Sequence, residues 1–217
     1  MKIYYTPKSV AAKIIFCFTL LSAYCLLSTV LTGCTAAIKG PVSVKPIQTS
    51  LPGYSISGQR ITYSNQDIKL SILPLNPPET RKILMDKAQN NPLSEILTRP
   101  QYMVFLLDIE NLSRAKIIYN PALTALHDSE MGFHKPLDYT DLYSLAGSLQ
   151  NPEHTLNNMK GLFYDLSVTL ESRQQTSRLL LFSGIEEGIN KLMIEMKEVY
   201  IGTSTITLSF DFIAGEE

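Results

Sequence analysis

Hydrophobic positions follow two different regimes along the chain. Between residues 14 and 31 they run almost without a break, whereas beyond Gly53 they come in short runs that alternate with polar residues. Alternation with period two marks a strand with one buried face. It is clearest near the C-terminus, where Ile206, Leu208, Phe210 and Phe212 alternate with Thr205, Thr207, Ser209 and Asp211, predicting a strand over 203–213. Strands are also predicted over 55–63 and 67–75, joined by Ser64-Asn65-Gln66, and over 116–119, 122–127, 132–137, 178–183 and 191–200. The segment 102–109 has no polar residue before Asp108, the pattern of a strand covered on both faces. Phe105, Leu107, Ile206, Leu208 and Phe210 are therefore expected in one core.

Helical signals are fewer. Asn76, Pro77 and Glu79 have the spacing of a capping box with proline at the first helical position, and Ile83, Leu84 and Ala88 share a face beyond it. Asn90-Asn91-Pro92 should end that helix, a brief turn is expected over 93–97, and a capped turn over 138–145 should close at Gly147. The polar span 148–159, with Asn151-Pro152, reads as a surface loop. Two readings stay open further on: Leu162, Phe163 and Leu166 suit a helix, while Leu166, Val168 and Leu170 suit a strand. Many short strands with one or two short helices predict a mainly β chain, an antiparallel β-sandwich.

The N-terminal regime has the three parts of an export signal. Lys2, Lys8 and Lys13 come first with no acidic residue, the apolar run follows, and Thr32-Gly33 supplies small residues after it. An uncleaved membrane helix is the alternative, because about 18 to 20 apolar residues can cross a bilayer. The residues Leu31, Thr32, Gly33 and Cys34 resemble the lipobox of bacterial lipoproteins processed by signal peptidase II. Over residues 1–34 that resemblance implies cleavage before Cys34, a diacylglyceryl group on its thiol and an acylated amine that takes up palmitate. It also implies a place in the cell envelope. Thr35 stands where many inner-membrane lipoproteins have aspartate, so the outer membrane, periplasmic face, is expected. The domain plan is then a signal peptide (1–33), a lipidated N-terminus and proline-containing tether (34–52), and one β-sandwich domain (53–217).

Removing the leader changes the charge. The whole chain has 19 Lys and Arg against 20 Asp and Glu; the mature chain keeps 16 of the basic residues and all 20 acidic ones, formally −4. A mildly acidic domain without a basic cluster argues against nucleic acid and against electrostatic adhesion to anionic lipid. Cys17 and Cys25 leave with the leader, so the mature chain has Cys34 alone and no internal disulfide.

The order of residues 102–111, Ser113, Asn120, Leu126-His127-Asp128, Gly132 and Pro136 resembles the immunoglobulin-like β-sandwich domains of unknown function found in bacterial lipoproteins. That resemblance implies an immunoglobulin-like fold and transfers no catalytic residue.

Candidate chemistry is sparse. Ser113-Arg114-Ala115-Lys116 has the S-x-x-K spacing of a lysine-activated serine, but it falls in a predicted turn and lacks the companion S-D-N and K-T-G motifs. A four-residue turn at 129–132 would put His127 and His134 opposite one another with Cβ atoms about 5 Å apart, near enough to share a metal. Asp128 and Glu130 stand beside them, yet zinc normally takes three or four protein ligands. Glu186-Glu187 reads as an exposed acidic turn, and Tyr139 and Tyr143 as core or a small contact surface. No cofactor motif is present. Two functions follow: a non-catalytic binding or assembly module with an envelope protein partner, or an envelope hydrolase of peptidoglycan, ester or peptide. A histidine within hydrogen-bond reach of both a serine and a carboxylate would favour the hydrolase.

Overall fold

The computed structural model describes residues 43–47, 50–87, 91–186 and 188–215. The predicted leader, Leu31 to Cys34, and Ala88 lie outside them. Among the described residues, strands form two antiparallel sheets. Sheet A runs in the order β1 (Ser43–Pro46), β12 (Ser204–Gly215), β11 (Lys191–Ile201), β6 (Ile117–Tyr119) and β9 (Val168–Leu170). On another stretch of β11 lies β7 (Thr124–Asp128), with β8 (Phe133–His134) outside it. Sheet B runs β10 (Gln175–Ser183), β5 (Tyr102–Asn111), β4 (Ile68–Leu75), β3 (Arg60–Ser64) and β2 (Tyr54–Ser57).

The two sheets share one core. Ring contacts tie them together: Phe105 of sheet B lies 5.5 Å from Phe212 of sheet A, and Tyr54 lies 5.5 Å from Phe210 edge-on, both within the range aromatic pairs favour. Phe105, Leu107, Leu208 and Phe210 are buried together as expected, while Ile206 sits half-buried at the margin.

Turn chemistry accounts for one difference from the sequence reading. The single strand predicted over 55–63 is two, β2 and β3, because the chain reverses at Gly58-Gln59 between the paired Ser57 and Arg60. Gly58 has φ 60°, the first-position glycine of a type II′ hairpin. Alternation continues on both arms, which hid the turn. In β11 an extra residue enters between Met196, paired with Leu208, and Val199, paired with Ile206. One added residue inverts which face each later side chain takes. The bulge, with Glu198 at φ 52°, thereby returns Val199 to the core.

Helices cover part of the outer face of sheet B: α1 (Pro77–Lys87), α2 (Leu93–Leu97), α3 (Tyr139–Ala146) and α4 (Pro152–Asn157). The capping box of α1 forms, with the Glu79 N–H donating to Asn76 Oδ1 at 2.9 Å and the Asn76 N–H to Glu79 Oε2 at 3.0 Å. Asp138 and Asp141 make the same exchange at α3. A second core packs Leu84, Leu97, Leu142 and Leu156 with Val104, Leu179 and Leu181. Over this end β5 is covered on both faces, as its unbroken apolar run predicts.

Three expectations need correction. Residues 148–159 are not a bare loop: they contain α4, with Thr155, Leu156 and Met159 buried. Pro152 suits the first helical position, and Leu156 with Met159 gives one apolar pair a turn apart, too sparse to read as a periodic face. The strand over 132–137 shrinks to Phe133–His134; Pro136 has no N–H, and the Leu137 N–H donates instead to the Leu181 carbonyl of sheet B. Finally, Ser43–Pro46 lies inside the stretch read as tether yet forms β1, paired with β12 from Ser43 opposite Gly215 to Pro46 opposite Phe212. Of the two readings near 166, the strand prevails as β9, and Leu166 is exposed. Among the described residues no helix is long and apolar enough to cross a membrane.

Candidate functional site

Where the helices stop, the outer face of sheet B changes character within one row of side chains. Register places Leu73, Leu106 and Leu179 side by side, with Leu106 and Leu179 in the helix-covered core, and Thr62, Ser71, Asp108 and Ser177 side by side in the next row of the same face. Beyond them come Ser64, Lys69, Glu110 and Gln175. Arg60 reaches across the boundary, donating to Ser71 Oγ at 2.9 Å and pairing with Asp108; Ser71 Oγ also donates to Asp108 at 3.3 Å. Arg60, Thr62, Lys69, Asp108, Glu110 and Gln175 line an open concavity of ≈ 710 Å³. Side chains on the centre of a sheet are held by neighbours on both sides, so the shelf offers fixed donors and acceptors.

The second polar cluster lies at the β7–β8 turn. Asp128 gathers three donors on its carboxylate: the N–H groups of Gly132 at 2.7 Å and Glu130 at 2.9 Å, and His134 Nε2 at 3.0 Å. Burial in the turn pushes the carboxyl up, but the His134 bond and the two backbone bonds outweigh it and hold the group below the usual carboxylate range. A Cβ at Gly132 would stand 1.9 Å from Asp128 Oδ2, so a larger residue there would displace the carboxylate. The left-handed turn position falls instead to Met131, φ 65°.

This geometry separates the two histidines. The Asp128 N–H donates to the Gly132 carbonyl, which closes a turn one residue shorter than expected, so His127 pairs with Phe133 and His134 with Leu126. Their side chains point to opposite faces of sheet A. His127 Nε2 lies 3.2 Å from Glu195 Oε2 and its ring meets Phe133 edge-on at 5.6 Å. Lys197 Nζ is also 3.2 Å from the Glu195 carboxylate. Among the described residues, no group of three or more His, Cys, Asp or Glu side chains could hold a metal ion.

The other candidates disperse. The Ser113 hydroxyl is turned inward, 2.8 Å from Asn111 Oδ1 and 3.0 Å from the Ala115 carbonyl, while Lys116 pairs with Glu171 at 2.8 Å. Asn111, fully buried, organises this loop by donating from Nδ2 to the carbonyls of Ala115, Leu170 and Glu171. His154 lies on α4, its Nδ1 3.4 Å from Asn158 Nδ2. Tyr139 and Tyr143 are exposed with ring centroids 6.4 Å apart, and Leu142 between them is buried. Glu186 is exposed, and Glu187 and Leu31 to Cys34 lie outside the described residues. Arg60, Asp108 and Glu195 escaped sequence reading because only strand register brings them to their partners. The available signal was polarity itself, in Ser71 and Asp108 each standing between apolar neighbours in the sequence.

Fold and sites together define a two-sheet antiparallel β protein with helices on one outer face. No model of a known family matches the chain, and no curated protein matches it. Among solved structures it is similar to the yjhA protein from Bacillus subtilis, at 12% identity over 68% of this chain and 93% of that one, TM-score 0.38. It is also similar to a functionally unknown protein from Listeria monocytogenes EGD-e, at 15% identity over 85% of this chain and 94% of that one, TM-score 0.33.

Proposed function

We propose that this is a lipid-anchored protein of the cell envelope whose two-sheet domain is a non-catalytic binding or assembly module. The observation that carries the reading is the sequence Leu31-Thr32-Gly33-Cys34 at the end of a basic, then apolar leader. The fold we infer is an immunoglobulin-like sandwich. In support, the order β4-β5-β10 in one sheet and β12-β11-β6-β9 in the other corresponds to A-B-E and G-F-C-C′ of that fold. Support for binding comes from the polar shelf around Arg60, Asp108 and Glu110, held on rigid strands and open to solvent. Its mixture of paired charges and amide and hydroxyl groups suits a polar protein surface as partner.

The test is Cys34→Ser. Wild-type protein should take up labelled palmitate and run at mature mass, while the variant should take up none and accumulate as a precursor about 3 to 4 kDa heavier, held by its uncut leader. Identical full-length migration of both without label would leave an uncleaved helix as the anchor. For the shelf, in-cell crosslinking should give an adduct that Glu110→Lys abolishes; adducts unchanged by that substitution would move the binding surface elsewhere.

A further inference from the structure

Strand register places several separate features at one end of sheet A. Ser43 lies opposite Gly215, Ile213 opposite Lys191, and Leu192 opposite Asp128, so the start of β1 and the β7–β8 turn share that end. Four strand intervals put the turn about 20 Å across the sheet from Ser43. Eight residues, 35–42, separate Cys34 from Ser43, and such a length reaches at most about 30 Å fully extended. The opposite end, at the Gly202-Thr203 turn, is separated from the end where β1 starts by the length of β11, about 35 Å.

At the end where β1 starts stands the most exposed of the large apolar side chains among the described residues. Met131 is 95% exposed and Phe133 66%, and Ile213 is exposed between its cross-strand neighbours Lys45 and Lys191. The tip is not a loose loop. Asp128 fixes it through Glu130, Gly132 and His134, and the turn carries methionine at φ 65°, where glycine would sit more cheaply. Apolar side chains flanked by lysines suit a bilayer interface, because lysine stems lie along the headgroups while their ammonium groups reach the phosphates. Glu130, exposed in the same turn, opposes attraction to anionic lipid, so insertion of the apolar tip carries the contact. Tethering makes that contact intramolecular and lets a weak interaction persist.

We infer that the β7–β8 tip is a membrane-contact site, with Met131 and Phe133 entering the headgroup region of the same bilayer that holds Cys34. This rests on the lipid-anchor reading. The experiment uses full-length lipidated protein in vesicles of phosphatidylethanolamine and phosphatidylglycerol. With Cys34 acylated and the leader removed, Met131→Cys or Thr203→Cys supplies a single thiol for an environment-sensitive fluorophore. A dye at 131 should shift to the blue and lose most of its emission to a headgroup-depth nitroxide lipid, and a dye at 203 should do neither. Equal behaviour of the two positions overturns the inference while palmitate labelling leaves the anchor reading standing. Protection of position 131 from aqueous iodide in native membranes without quenching by nitroxide lipid would assign the tip to a protein partner instead. Failure to label with palmitate refutes the lipid-anchor reading and, with it, a contact inferred from that anchor.

Discussion

Sheets A and B bury the same kind of inner face and differ in what lies outside. Sheet B has a second core under its helices, so at that end β5 and β10 carry apolar residues on both faces: Val104 and Leu181 outward, Phe105 and Leu180 inward. Sheet A has no such layer among the described residues, and β12 accordingly alternates, with Phe210 and Phe212 in the core and Asp211 and Ile213 outside. An unbroken apolar run and a strict alternation are thus two records of one variable, the number of covered faces.

Substitutions can break or sharpen that contrast. The largest effect is expected from Phe210→Ala in the shared core, which should cost about 3 to 5 kcal/mol in chemical denaturation. A loss below about 1 kcal/mol would mean that the two sheets do not depend on each other. Leu181→Ala, on the outer face of sheet B, should cost about 2 to 4 kcal/mol, because the helices above it cannot fully collapse into the space. A negligible loss would make the helical layer an ornament rather than a core.

Asp128→Asn is expected to cost about 1 kcal/mol at neutral pH through weakened hydrogen bonds to the turn. The carboxyl is held below its ordinary value in the folded protein, so the unfolded chain binds the proton more readily. Its contribution is complete above about pH 4 and is lost as the pH falls through the folded value. Denaturation midpoints measured from pH 6 downward should therefore fall less steeply for the variant than for wild type; parallel curves would show that the turn does not depend on this charge. The smallest effect is expected at Ile213→Ser, on the bare face of sheet A, within about 0.5 kcal/mol. A cost approaching that of Leu181→Ala would reveal a covering on sheet A after all.

Much of this architecture was legible. Capping chemistry located α1 and α3, and periodicity located β5, β11 and β12, because those signals depend on nearest neighbours. What escaped depends on parity or on distant partners. One residue fewer in the turn after Asp128 moves His134 from opposite His127 to opposite Leu126 and dissolves the apparent metal pair. The device responsible, a methionine in the left-handed position, gives no sign in the sequence where a glycine would have. β1 was read as tether because Ser43-Val44-Lys45-Pro46 has no strand pattern of its own; it becomes a strand by pairing with β12. Of the candidate site residues, Leu31 to Cys34 lie outside the described structure, whereas Arg60 and Asp108 become neighbours only when β3, β4 and β5 are laid side by side.

The pairing of β1 with β12 also sets an order of events in time. Synthesis delivers β1 ahead of the other strands described and β12 after them, and closing so long a loop is slow compared with forming the β11–β12 hairpin, whose partners are separated only by Gly202-Thr203. β12 should therefore wait with one edge open, able to pair with another chain, until β1 returns to it. A chain that ends before residue 204 would lose the strand at its C-terminus and would also leave β1, already made, with nothing to pair against.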